Sequence, residues 1–202
     1  MAETRTENLK RIKKEKRNLY LMAAVKTFQE KGFHETRVKD ITDRAGTSVG
    51  NFYRYFKGKE EIFEFLIENF NDLIQNKLKE LLKHDIPPIP AIQTLFRDLI
   101  KIFEEKSNVA LIFIDQMAGI NKKYAELKQK YMNEGIDNVD KIISHLLKIG
   151  FIREQNSHLT STLWVNAIFD TFSWWIKSGK KVPKEKLIIE LTDFLVKGTV
   201  TK

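Results

Sequence analysis

The sequence predicts an all-α protein, with a small helical domain at the N-terminus and a larger helical body after it. Three observations point there. Apolar residues recur at three- and four-residue spacing through most of the 202 residues, the period of a helix with one buried face. No stretch alternates apolar and polar residues for long enough to argue for a sheet. Chain breakers fall between the periodic stretches: Gly32, Gly46, Gly58, Gly150, Gly179, Pro183, and three prolines within Asp85-Ile-Pro-Pro-Ile-Pro90.

The elements follow in order. Residues 1–15 are polar and lack a core stripe, so they form a basic arm that frays from, or extends, the first helix. From about Lys16 a helix places Leu21, Ala24, Val25 and Phe28 at i, i+3, i+4 and i+7, and Lys31-Gly32 ends it. A short second helix has Val38, Ile41 and Ala45 on one face and stops at Gly46. Thr47 or Ser48 caps a third, which turns Val49, Phe52 and Phe56 inward. After Gly58, the acidic pair Glu60-Glu61 opens a fourth helix with Ile62, Leu66, Phe70, Leu73, Leu78 and Leu81 along one side. Beyond the proline-rich linker, helices are expected at about 91–106, 107–119, 122–149, 157–178 and 184–198. The domains are then the arm, 1–15, a helix–turn–helix domain, 16–58, and a helical body, 59–202.

Composition removes several classes of function. The chain has no cysteine, which excludes a disulfide scaffold, a Cys-ligated metal site and a thiol nucleophile. His34, His84, His145 and His158 show no paired-ligand spacing. There is no Ser/His/Asp arrangement in context and no phosphate-cradling glycine loop, so neither an enzyme, a metal nor a cofactor is expected. No apolar run approaches the ~18 residues of a membrane span. The N-terminus is charged and has no apolar signal core, so a cytoplasmic protein is expected. The net charge of +8 is uneven: residues 1–57 carry 14 basic and 7 acidic side chains, whereas residues 58–202 carry 21 and 20. A polyanion is the natural partner of the first quarter, nucleic acid before an anionic membrane surface.

Residues 36–56 carry the most specific pattern, Thr-Arg-Val-Lys-Asp-Ile-Thr-Asp-Arg-Ala-Gly-Thr-Ser-Val-Gly-Asn-Phe-Tyr-Arg-Tyr-Phe. Two short helices around a tight glycine turn make a helix–turn–helix, whose second helix enters the DNA major groove. Gly50 lies inside that helix, where glycine costs ~1 kcal/mol relative to alanine; its missing side chain lets a large ligand approach the backbone. Lys59 lies at the start of the fourth helix, where a cation opposes the helix dipole unless a phosphate docks there. The open face of the recognition helix offers Ser48, Asn51, Tyr53, Arg54 and Tyr55. Asn and Arg can pair with base edges, and hydroxyls and phenols take phosphates. Arg54 faces either solvent or a base, while Phe52 and Phe56 belong to the core.

Gly32-Phe33, Thr36, Ile41, Ala45 to Phe56 and Lys59-Glu-Glu-Ile-Phe63 resemble the N-terminal domain of the TetR family of bacterial transcriptional regulators, over about residues 17–66. The resemblance implies an all-helical homodimer of about nine helices, with three N-terminal helices on DNA and a ligand-binding and dimerisation body. It implies DNA contacts at Thr36, Thr47, Ser48, Val49, Gly50, Asn51, Tyr53, Tyr55 and Lys59. The basic arm is longer than the family's minimal pattern.

The body is less diagnostic. The segment 163–176 is apolar around most of its circumference, as expected of a helix buried on more than one side. With the last helix it suggests a four-helix dimer interface carrying Leu163, Ala167, Trp174, Leu187, Leu191, Phe194 and Leu195; a single monomer core is the alternative. Phe103, Phe113, Met117, Tyr124, Tyr131, Trp164, Ile168, Phe172 and Trp175 are candidates to line an apolar ligand cavity. Asp115, Asn166 and Asp170 are candidates to orient a polar or cationic end, and any of these residues can equally be ordinary core or surface. The expected function is a sequence-specific DNA-binding regulator, a repressor released from its operator by a small lipophilic ligand, with a ligand-independent regulator or an activator as the alternative. Its expected partners are double-stranded DNA, a small-molecule effector and a second copy of the chain, with no membrane.

Overall fold

The computed structural model describes residues 5–81 and 88–197. The first four residues of the arm, Asp85-Ile-Pro87 of the proline-rich linker and residue 198 lie outside the described residues. The helices are α1 (Arg5–Glu35), α2 (Val38–Arg44), α3 (Val49–Phe52), α4 (Lys59–Leu81), α5 (Pro88–Glu105), α6 (Ser107–Leu111), α7 (Met117–Ile120), α8 (Lys122–Lys148), α9 (Ser157–Lys177) and α10 (Lys184–Lys197). A π-helical turn, Ile112–Gln116, joins α6 to α7. Residues 107–120 therefore form one continuous run, and the described residues hold nine helical segments and no β-strand. The all-α expectation holds. No helix among the described residues is long and apolar enough to cross a membrane. The chain packs as two compact units, Met1–Asn69 and Phe70–Lys202.

In the first unit α1 begins at Arg5, so the described part of the arm is helical. Its first turns are exposed and held by local contacts such as Arg11–Glu15, 2.8 Å. The buried face of α1 is Tyr20, Ala23, Ala24, Thr27 and Phe28, and the expected Leu21 and Val25 are only half-buried. The face turns toward Tyr20 because its ring enters the core while its hydroxyl finds a partner there, a combination that a count of apolar residues overlooks. Tyr20 meets Phe52 edge-on at 5.3 Å. Phe63 meets Phe33 at 4.8 Å and Phe28 at 5.8 Å. The Arg17 guanidinium lies over Phe56 and Phe65 at 4.6 and 4.9 Å.

Two short connections set the angles between these helices. Gly32 sits at φ +78° inside α1's last turns, a left-handed conformation that side chains disfavour. Thr36 Oγ1 then donates to the Gly32 carbonyl at 2.7 Å. Lys59 Nζ donates to the carbonyls of Phe33, His34 and Thr36 at 2.6, 3.0 and 2.7 Å. An ammonium has three protons, so all are engaged at the end of α1. Asp40 opens α2 by accepting the Arg37 N–H at 2.8 Å and Lys31 Nζ at 2.7 Å. The Lys31 bond, then the Arg37 N–H, hold its carboxyl below the usual carboxylate range. After α2, the Gly46 N–H reaches the Asp43 carbonyl and the Thr47 N–H the Thr42 carbonyl, at 3.2 and 2.9 Å, closing the helix as a Schellman turn.

In the second unit, α5 admits Pro88 and Pro90 in its first turn, where the missing N–H leaves no helical bond unmade. Phe70, Phe103, Phe113, Phe169 and Phe172 form a continuous aromatic cluster with centroids 5.2–5.9 Å apart. The buried side of α4 is Ile62, Phe63, Ile67, Phe70, Ile74 and Leu78, while the expected Leu66, Leu73 and Leu81 are half-buried. Buried Asn71 and Gln75 interrupt the apolar stripe and explain the difference. Asn71 Nδ2 donates to Glu134 at 3.2 Å, Gln75 Nε2 to Asn71 at 3.1 Å, and Asn138 Nδ2 to Gln75 at 2.8 Å. This ladder pairs α4 with α8 and satisfies amides that would otherwise be stranded in the core.

The Lys59 clamp gives a stability prediction. Lys59→Ala is expected to lower the unfolding free energy by about 1.5–3 kcal/mol, the range for hydrogen bonds involving a charged group, in urea titrations of the full chain. An unchanged midpoint overturns the clamp.

Candidate nucleic-acid interface and ligand cavities

The helix–turn–helix presents a small open surface. Ser48 caps α3, accepting the Asn51 N–H at 3.2 Å. α3 itself spans only Val49–Phe52, and i to i+3 bonds, Arg54 N–H to Asn51 and Tyr55 N–H to Phe52, carry the chain one turn further. Phe52 and Phe56 anchor this turn in the core. On the outside a Cβ at Gly50 would meet nothing within 4 Å, so the backbone here is open to a close partner. Ser48, Val49 and Arg54 are exposed, and Tyr53 is 56% exposed.

Other expected contact residues have different work. Asn51 is half-buried, and its Nδ2 donates to the Tyr20 hydroxyl at 2.9 Å. Tyr55 is half-buried against Tyr20, with centroids 5.6 Å apart. Thr36 is 1% exposed with its hydroxyl on the Gly32 carbonyl, so its side chain is turned away from any external partner. Thr47 Oγ1 is enclosed without a hydrogen-bond partner. The Lys59 ammonium, expected at a phosphate, lies instead on three carbonyls and 4.5 Å from the Phe33 ring centre. The reading of the sequence missed Tyr20, whose hydroxyl sets Asn51; its place one residue before the expected stripe was the available signal.

Among the described residues, three recesses of the second unit bear on ligand binding. The first is an apolar cavity of about 30 Å³ between α4, α5, the π-turn, α8 and α9, lined by residues including Phe70, Ile74, Gln75, Phe113, Val139 and Ile168. That is room for about one water molecule. The second is a cleft of about 310 Å³ lined by Phe113, Met132 and Phe169, with Lys128, Thr162 and Asn166 among its polar groups. A third, of about 510 Å³, lies beside Asp115, Asp170, Trp174 and Lys177. Of the expected ligand residues, Phe113, Tyr131 and Ile168 line the apolar cavity. Phe103, Met117, Tyr124, Trp164, Phe172 and Trp175 are buried in the core away from all three recesses. Trp175 shows why, since its indole N–H closes the α9–α10 connection on the Val182 carbonyl at 2.7 Å. Asp115 pairs with Lys177 at 2.8 Å.

The expected dimer residues divide in two. On α9, Leu163 is 61% and Trp174 53% exposed, with Ala167 half-buried and Leu159 exposed on the same side. On α10, Phe194 is 76% exposed and Ile189 is exposed. Leu187, Leu191 and Leu195 instead face the core of their own unit, because that stripe of α10 packs on α5.

Comparison with known proteins agrees with this architecture. Residues 21–66 match the family model of bacterial regulatory proteins, tetR family. A fatty acid metabolism regulator protein of Bacillus subtilis (strain 168) is 22% identical over 193 residues, covering 94% of this chain and 100% of the relative. The transcriptional repressor KstR2 of Mycolicibacterium smegmatis is 27% identical over 114 residues, covering 56% of this chain and 54% of the relative. Among solved structures, a Bacillus subtilis FadR in complex with stearoyl-CoA is similar with a TM-score of 0.74 at 21% identity, covering 89% of this chain and 97% of that one. A ketosteroid regulator KstR2 of Mycobacterium tuberculosis is similar with a TM-score of 0.77 at 18% identity, covering 92% and 95%. With its capped α2–α3 turn, open Gly50 backbone and helical body, the chain is similar to TetR-family regulators in sequence over residues 21–66 and in fold beyond them.

Proposed function

We propose that the protein is a homodimeric transcriptional repressor that holds operator DNA through α2 and α3 and is released by a lipophilic acyl ligand. The observation that carries the reading is the open backbone at Gly50 flanked by exposed Ser48, Tyr53 and Arg54, on a turn anchored by Phe52 and Phe56. A small, side-chain-free surface on a rigid helical support suits insertion into the major groove. The exposed basic turns of α1 supply cations for phosphates. Asn51, set by Tyr20, reads a base edge or holds the turn for its neighbours.

Two features support dimerisation and ligand control. Leu159, Leu163 and Trp174 share one exposed face of α9, and α10 adds exposed Ile189 and Phe194, more than scattered single apolar residues, and a second copy supplies the second half-site reader. α4 starts at Lys59 in the first unit and ends in the second, where Phe70, Ile74 and Gln75 line the apolar cavity. A chain entering that cavity displaces α4, alters the spacing of the two recognition elements and lowers DNA affinity. The ligand does this only by binding the two arrangements unequally. The relatives named as fatty acid regulators, and the one with stearoyl-CoA bound, support an acyl thioester as the ligand class.

The test is selection of duplexes from a random pool by the full chain, followed by titration with lauroyl-CoA. A defined half-site pair is expected to be enriched, and lauroyl-CoA to weaken its binding. Tyr53→Phe is expected to weaken all duplexes about equally, by roughly fivefold for one lost hydrogen bond of about 1 kcal/mol. An unenriched pool, or a DNA affinity indifferent to lauroyl-CoA, overturns the reading. Trp174→Glu is expected to convert the dimer to a monomer by light scattering and to weaken operator binding by more than about tenfold, as loss of an interfacial aromatic anchor does. A Trp174→Glu protein that stays dimeric removes this face from the interface.

A further inference from the structure

The recesses of the second unit converge on the π-turn Ile112–Gln116, which places Phe113 in the apolar cavity and the cleft, Ile114 in the cleft and the third recess, and Asp115 in the third recess. π-turns inside helices often mark functional positions. Phe113, Met132 and Phe169 line both the apolar cavity and the cleft, so these side chains form the partition between them. Beyond the partition stands Lys128, half-buried, its Nζ donating to the Ile114 carbonyl at 2.5 Å. Burial pulls this ammonium below the ordinary lysine range, and Asp115 and Asp170 pull it back upward.

Building on the ligand-responsive reading above, we propose that the cleft binds the carbonyl- and amide-bearing part of an acyl thioester, with Lys128 donating to the ligand carbonyl in place of Ile114 and the acyl chain passing Phe113, Met132 and Phe169 into the apolar cavity. The chemistry of the cleft selects this class. Lys128 already holds a neutral sp² oxygen, the Ile114 peptide carbonyl, so a thioester or amide carbonyl takes the same position without adding charge. A free carboxylate would bring a further negative charge toward Asp115 and Asp170, which already face Lys128. Gln129, Thr162 and Asn166 carry amide and hydroxyl groups along the cleft, complementary to the successive amides of a pantetheine-like arm. Lys128 is thus a specificity-determining residue that reads a neutral thioester against the free fatty acid. When it leaves the Ile114 carbonyl, it also loosens the π-turn whose Phe113 guards the inner cavity.

The experiment is calorimetric titration of the full-length protein with three probes: lauroyl-CoA, the N-acetylcysteamine thioester of lauric acid, and laurate. The second carries a thioester carbonyl and one amide but no phosphate, which separates carbonyl recognition from attraction to the nucleotide. The wild type is expected to bind both thioesters at least about tenfold more tightly than laurate. Lys128→Met is expected to weaken both thioesters about tenfold, as loss of a charged donor does, and to leave laurate within about twofold. Methionine retains the stem and removes a partly desolvated cation, so the fold is expected to survive; Lys128→Gln provides the same comparison if it does not. Thioester binding that survives Lys128→Met, or a wild type that prefers laurate, overturns this inference and leaves acyl control of DNA binding standing. A wild type that binds none of the three overturns both.

Discussion

The geometry of the first unit depends on one polar knot at the end of α1. Gly32 takes a left-handed turn, and the carbonyls that the turn leaves pointing outward are collected by two side chains. Thr36 takes one of them, and the Lys59 ammonium takes three more. Because Lys59 is the first residue of α4, the knot ties the end of α1, the start of α2 and the start of α4 together. Residues that look in sequence like ligands for a phosphate are thereby occupied within the protein. A lysine at a helix N-terminus opposes the dipole, and here the nearby carbonyls of another helix's end offset that penalty. The surface left outside the knot, and so open to the proposed DNA contact, is Ser48, Gly50, Tyr53 and Arg54.

Much of the helical framework was legible because it is written in local chemistry. Glycine stops, an N-cap serine at Ser48 and prolines confined to a first turn act within a few residues of themselves, so the expected 122–149 and 157–178 lie within a residue or so of Lys122–Lys148 and Ser157–Lys177. Which face of a helix is buried was less legible wherever a polar group is buried with its partner. Tyr20 on α1 and Asn71 and Gln75 on α4 are all satisfied by residues far away in sequence. No periodicity of apolar residues reveals such a pair. The same reason hid the roles of Thr36 and Lys59, whose partners are backbone carbonyls reached only after the chain has turned.

The cavity was the least legible feature because aromatic side chains serve a packed core and a cavity wall equally well. Phe103 and Phe172 pack against each other at 5.2 Å, whereas Phe113, one contact away through Phe70, stands at the cavity edge. What distinguishes them is backbone. Phe113 lies on the π-turn, where the wider winding shifts the side-chain register relative to a regular helix. Polar residues set into apolar runs, Asp115, Asn166 and Asp170, were the better guide, since each lines a recess.

The small size of the apolar cavity bears directly on the proposed ligand control. Sites for small molecules span roughly 300–1,000 Å³, about ten- to thirtyfold more than the 30 Å³ present here. The conformation described therefore excludes an acyl chain, and a chain that binds must do so in another arrangement of the cavity walls. Those walls include α4 through Phe70, Ile74 and Gln75, and α8 through Gly135 and Val139, and the amide ladder from Asn71 and Gln75 to Glu134 and Asn138 crosses the same gap. On the proposed reading, opening the cavity would loosen that ladder, and chain binding would be coupled to α4 position by sterics rather than by a separate relay. The requirement that a ligand discriminate between two states is met by volume alone. Moving such an equilibrium from 1:99 to 99:1 takes about 5.5 kcal/mol of differential affinity, which corresponds to burying roughly seven methylene groups at about 0.8 kcal/mol each. Under the proposed acyl control a long chain would supply that margin and a short one would not, so chain length, more than head-group affinity, would set whether the switch is thrown.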